Sequence, residues 1–137
     1  MALSHDPMTQ AIDETAHVVR EFWRLMATND FDSVKVVISE DFVLDWPQSR
    51  ERIRGATNFA RFNTAYPAHG PWSFTIHRIV AGVGQATSDV EISDGVMRAR
   101  AITFFSVSNG FITKIVEFWP EPYEPPFDRS EFVERLD

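Results

Sequence analysis

Glu117 and Glu91 are the residues of this chain best suited to proton chemistry. Glu117 stands in the run Thr113-Lys114-Ile115-Val116-Glu117-Phe118-Trp119, which reads as a strand. Strand alternation puts Thr113, Ile115, Glu117 and Trp119 on one face and Lys114, Val116 and Phe118 on the other. A carboxyl beside Trp119 in an apolar cavity loses hydration, which raises its pKa. A carboxyl tuned towards neutrality can give and take protons. The structural alternative is a glutamate paired with an arginine or capped by a tryptophan ring nitrogen. Glu91 shares a face with Thr87 and Asp89, opposite Val90 and Ile92. On a concave face, Glu91 and Glu117 would form an acid pair with one member protonated. On a convex or edge face, Glu91 and Asp89 are solvated strand charges.

Apolar side chains suggest walls for such a site. Trp46, Trp119, Phe22, Met26, Phe59 and Phe62 are candidate pocket lining, although each would also serve as plain core. Their number favours an apolar ligand over a sugar or nucleotide. Ala99, Ala101 and Thr103 alternate with Arg98 and Arg100. The small residues fit an inner face with room for a ligand, which makes Thr103 a candidate contact and places the arginines outside. With the opposite parity the arginines would clamp an anion. His77 shares a face with Ser73 and Thr75 that reads as wet, so a surface histidine is expected there, with a general base as the alternative. Asp45 points away from Trp46 by alternation.

Other chemistries lack their residues. The chain has no cysteine, and its four histidines, at positions 5, 17, 69 and 77, show no ligand spacing, so neither disulfides nor a metal site is expected. It has no His-Glu-x-x-His, no Gly-x-Ser-x-Gly and no phosphate-binding glycine loop. No cofactor is expected. A net charge of −7 repels phosphate backbones and anionic lipid, so nucleic acid and membrane are not expected partners. No apolar run approaches the roughly 18 residues of a membrane span, and residues 1–7 lack the features of a signal peptide. A cytoplasmic protein is the expectation.

The elements that would position these residues follow from patterning. At 137 residues, 44% of them apolar, the chain reads as one domain able to bury a core. Residues 1–9 read as a frayed end. Ile12, Ala16, Val19, Trp23 and Met26 fall at helical spacing over residues 10–28. Asn29-Asp30 ends that helix, and Asp30 or Asp32 can cap a short second one on Phe31, Val34, Val37 and Ile38. Ser39-Glu40-Asp41 breaks it. Residues 42–46 form a strand stopped by Pro47, 48–54 a short exposed strand, and 56–66 a third helix after a turn at Gly55. Four long strands follow at 72–81, 85–93, 96–107 and 111–119, with hairpin signals at Asp94-Gly95 and Asn109-Gly110. The core spans about residues 10–120. A proline-rich stretch then leads to a short closing helix at 128–136.

This pattern predicts an α+β domain: three N-terminal helices over one curved antiparallel sheet. The order of elements resembles the cone-shaped barrel of the nuclear transport factor 2-like superfamily, which shares the cystatin-like fold. So do the Asn-Asp-Phe-Asp break at 29–32, the Glu40-Asp41 strand entry, Trp46-Pro47, the Arg54-Gly55 turn and the Gly-Phe-Ile…Glu-Phe-Trp ending. The likeness spans about residues 12–119 and is strongest to SnoaL-like proteins. Superfamily members include polyketide cyclases, ketosteroid isomerases, epoxide hydrolases and proteins without activity. Ketosteroid isomerases carry a tyrosine, a base and an oxyanion-hole acid where this chain has Phe22, Trp46 and Thr103, which departs from that reaction. Epoxide hydrolases of this fold use an aspartate in the last strand, which Glu117 matches in kind. The resemblance thus implies that the Glu117 face points into the cone. Their Arg-x-Asp pair falls near Asp89 and Glu91, and their tyrosine and asparagine near Leu44 and Trp46.

The expected function is retention of a small apolar or aromatic molecule in an internal pocket. If catalytic, the protein would perform cofactor-free acid–base isomerisation, cyclisation or hydrolysis, with Glu117 as acid or base and Glu91 as helper. The other class is a non-catalytic ligand-binding or dimerising scaffold. Ile102, Phe104, Val116 and Phe118 would lie on the convex face, so a homodimer formed sheet to sheet is expected.

Overall fold

The computed structural model describes residues 6–136. Helix α1 (Pro7–Ala27) begins where Asp6 accepts the Thr9 backbone N–H at 2.8 Å and Pro7 takes the first turn. The expected fraying therefore fails at residues 7–9, and its remainder, 1–5, lies outside the described residues. A short 3₁₀ helix (Phe31–Val36) follows. Strands β1 (Ile38–Trp46) and β2 (Glu51–Arg54) precede helix α2 (Ala56–Ala65). Strands β3 (Ser73–Ala81), β4 (Gln85–Ser93), β5 (Arg98–Ser108) and β6 (Phe111–Phe118) complete one six-stranded sheet of order β2-β1-β6-β5-β4-β3.

The α+β class and the helices over a curved sheet are as expected, with four corrections. First, the sheet is open, and it is not purely antiparallel: β1 runs parallel to β6, with Leu44 opposite Ile115 and Asp45 opposite Val116. Second, β1 starts at Ile38, before the polar trio 39–41. Ile38 pairs with Ile112 and is buried, and a register shift between Ile38 and Val43 absorbs the polar residues. Tertiary pairing thus overrides the local break. Third, Asp94-Gly95 is not a two-residue turn. The Asp94 carboxylate accepts the backbone N–H groups of Val96, Met97 and His69, and it contacts the His69 ring at 3.0 Å. That binding draws Val96 and Met97 into the loop, so β5 begins only at Arg98. Asn109-Gly110 does make the tight turn, with φ of 53° and 79°. Fourth, residues 128–136 are not helical. Asp128 accepts the Ser130 N–H, but Phe132 and Leu136 remain 79% and 99% exposed. With no apolar face docked, so short a helix lacks its main source of stability.

The core lies between the helices and the inner face of the sheet. Phe22 of α1 meets Phe105 of β5 edge-on at 5.4 Å, and Phe42 of β1 meets Phe59 of α2 in the same way at 5.4 Å. Alternation holds along the long strands: Ala86, Ser88, Val90 and Ile92 of β4 are buried, as are Ala101, Thr103 and Phe105 of β5. Outer-face neighbours run in register. Val80, Thr87, Phe104 and Val116 lie side by side across β3 to β6, next to Ile102 and Phe118. Phe104 is 46% exposed and meets Phe118 at 6.1 Å.

Asn29 joins the helical layer to the sheet. Its φ of 63° turns the chain after α1. Its side chain pairs with the Trp72 backbone both ways, accepting the N–H at 2.7 Å and donating to the carbonyl at 2.8 Å. Asn29→Ala removes two part-buried hydrogen bonds and leaves a left-handed residue without local support. The expected loss is about 2 to 3 kcal/mol in urea unfolding; an unchanged midpoint would contradict this role.

Candidate functional site

Parallel pairing of β1 with β6 brings Trp46 beside Glu117. The Trp46 indole Nε1–H donates to Glu117 Oε1 at 3.1 Å. Thr103, opposite Glu117 on β5, donates its hydroxyl to Oε2 at 2.7 Å. Glu117 is 7% exposed. Burial pushes its carboxyl above the usual carboxylate range, and the Trp46 and Thr103 hydrogen bonds pull it part of the way back. Its two neutral partners supply one hydrogen bond to each oxygen without supplying positive charge.

This carboxyl faces an open-mouthed cavity of about 760 Å³ between α1, α2 and the inner sheet face. Ten of the 21 lining residues are aromatic and three are glutamates, so the walls are oily and every formal charge on them is negative. Among the described residues, no lysine, arginine or histidine lines the cavity. Trp46, Phe62, Tyr66 and Trp72 follow one another around the wall, with successive ring centroids 5.0, 5.6 and 5.9 Å apart. Ala99 gives the inner face the space expected of a small side chain. At the rim, Gln48 receives the Trp119 N–H at 2.6 Å and donates to the Trp119 carbonyl at 3.3 Å.

The structure brings together Glu117, Trp46, Trp119, Phe22, Met26, Phe59 and Phe62 on this cavity. It does not bring Glu91 there. Glu91 lies on the outer face, between His77 at 3.8 Å and Arg98 at 3.6 Å, because its neighbours Val90 and Ile92 take the inner positions. Asp89 is likewise outside, paired with Arg100 at 2.5 and 2.9 Å. The helper role for Glu91 is therefore withdrawn. Thr103 is also corrected: it is fully buried behind Glu117, and it holds the carboxyl rather than lining the cavity. His77 and the arginines Arg98 and Arg100 are outside, as expected, and Asp45 pairs with Arg52 at 2.6 and 2.9 Å.

Sequence reasoning missed Trp23, Phe74, Trp72, Met97 and Gln48 as contributors. Trp23 lies in the apolar stripe of α1, and its indole donates to buried Ser88 at 3.1 Å. Phe74 alternates with exposed Ser73 and Thr75, a signal visible in the strand. Gln48 sits in a loop, where side-chain direction has no periodicity to reveal it.

Residues 19–117 match the model of the SnoaL-like domain. The chain belongs to the SnoaL-like family. It is 31% identical to a candidate ketosteroid isomerase from Kribbella flavida, covering 92% of each chain with a TM-score of 0.85. An NTF2-like protein of unknown function from Burkholderia xenovorans is 24% identical over 91% of this chain and 97% of that one, with a TM-score of 0.76. An LEH-like epoxide hydrolase from M. tuberculosis is 24% identical over 84% and 86%, with a TM-score of 0.64. No curated protein matches this SnoaL-like chain.

A carboxyl whose pKa rises on folding binds protons in the native state that the unfolded chain has released. Stability from this group is then complete below the unfolded value of about 4.3 and declines as pH rises towards the folded value. Glu117→Gln should remove that decline in urea midpoints measured across pH. Its amide can turn its oxygen to Trp46 and its nitrogen to Thr103. Thr103→Val removes a donor to the charged form and should carry the decline to higher pH. Parallel profiles for all three proteins would contradict the buried-carboxyl account.

Proposed function

We propose that this SnoaL-like protein holds a small, largely apolar molecule against Glu117 and catalyses a cofactor-free proton transfer on it. Isomerisation, cyclisation and hydrolysis are the reaction types that such a transfer serves. One observation carries the reading: a buried carboxyl with a raised pKa, held by neutral donors, forms part of the wall of an aromatic cavity. A carboxylate offers about four acceptor positions. Trp46 and Thr103 use two, which leaves capacity for a ligand. Trp46 donates only, so it fixes Oε1 as an acceptor, whereas the Thr103 hydroxyl can donate or accept at Oε2. The carboxyl can therefore change protonation state without losing either partner. The 31% identical candidate ketosteroid isomerase lends support, because its name denotes an isomerisation.

The second reading is a ligand carrier. The hydrogen bonds already present on both Glu117 oxygens favour it, since a carboxyl so held can simply complete a wall. Glu117→Gln distinguishes the two. An enzyme should lose about 10²- to 10⁴-fold in turnover and still bind ligand in calorimetry. A carrier should show only a small change in affinity.

We also propose that a second copy covers the outer sheet face. Support comes from the adjoining apolar residues Ile102, Phe104, Val116 and Phe118, with Val80 one strand beyond Thr87, a kind of patch that isolated subunits seldom expose. Light scattering at micromolar concentration should give a dimer mass, and Phe104→Glu should give a monomer. A monomer mass for the unaltered protein would refute the dimer.

A further inference from the structure

We propose that the ligand of this cavity is a cation, an apolar framework bearing a protonated amine or quaternary ammonium group, with the charge seated between the ring wall and Glu117. This inference rests on the pocket reading above and names the class of molecule the pocket takes.

Three independent features of the cavity agree. The first is its rings. Trp46, Phe62, Tyr66 and Trp72 form a continuous arc, and ring faces attract cations through their negative quadrupole. Trp46 ends that arc and is hydrogen-bonded to Glu117, so rings and carboxyl adjoin one another. The second is the sign of charge. Glu51, Glu117 and Glu121 are the charged residues among the lining, in a chain of net charge −7. An anionic ligand would be repelled on approach and would meet no countercharge once inside.

The third feature is the acceptor capacity that remains at Glu117. Trp46 and Thr103 take two of about four acceptor positions on its carboxylate. An ammonium group beside Trp46 is the complement of what remains. A positive charge beside Glu117 also favours its ionised form.

The test uses three ligands on one naphthyl scaffold: a methylene-linked trimethylammonium, its neutral tert-butyl isostere, and a methylene-linked carboxylate. Titration calorimetry of the full chain near pH 7 should show the ammonium binding about tenfold tighter than the isostere or better, with the carboxylate weakest. Glu117→Gln should narrow the gap between ammonium and isostere. An isostere that binds as well as the ammonium would overturn the ligand class while leaving the pocket reading intact. Failure of all three to bind would overturn both. A gap undiminished in Glu117→Gln would refute the seat beside that carboxyl.

Discussion

A carboxyl held out of water with only neutral partners is the constraint around which this molecule is arranged. Removing Glu117 from solvent disfavours its charged form, and the Trp46 and Thr103 hydrogen bonds offset part of that cost. Each partner comes from a different strand, and each strand must be in register for its donor to reach. Parallel pairing of β1 with β6 delivers the indole, and antiparallel pairing of β5 with β6 delivers the hydroxyl. A one-residue slip in either pair would turn the donor to the opposite face. The chemistry of the site is thus a property of sheet register as much as of residue type.

The surrounding fold keeps that carboxyl dry while leaving space in front of it. Helix α1 lays Phe22, Trp23 and Met26 over the sheet, and α2 supplies Phe59, Phe62 and Tyr66. Large rings on the helices lie across the cavity from the small side chain of Ala99 on β5. That size asymmetry leaves a cavity where evenly sized side chains would interdigitate. The charged residues of β4 follow the opposite logic. Asp89 and Glu91 pair with arginines on the outer face and remain within reach of solvent.

Period and parity made much of this legible in the sequence. The 3.6-residue spacing of α1 marked its buried stripe, alternation sorted the residues of β5 and β6 into two faces, and the resemblance to epoxide hydrolases of this fold pointed the Glu117 face inward. Relations between distant segments were not legible. Nothing local to Trp46 announces that β1 lies parallel to β6, so the donor on Glu117 emerged only from the fold. The same gap explains Glu91: residue type suggested an acid pair, whereas the burial of Val90 and Ile92 decided its face. Asp94 shows a third kind of miss. Asp-Gly is a common tight turn, but a carboxylate that gathers backbone N–H groups from two loops makes a longer one. The tail after Trp119 carries apolar residues, yet periodicity without a docking face does not sustain a helix.

The Gln48 amide grips the main chain of Trp119 through both of its polar atoms. Backbone is common to every amino acid, so this clasp is indifferent to which side chain stands at position 119. The rim can therefore accept replacements there, or at its neighbour Ser49, without loosening the gateway. Relatives of this chain could acquire new preferences for what enters by exchanging rim side chains, while the proton-handling group in the interior stays as it is.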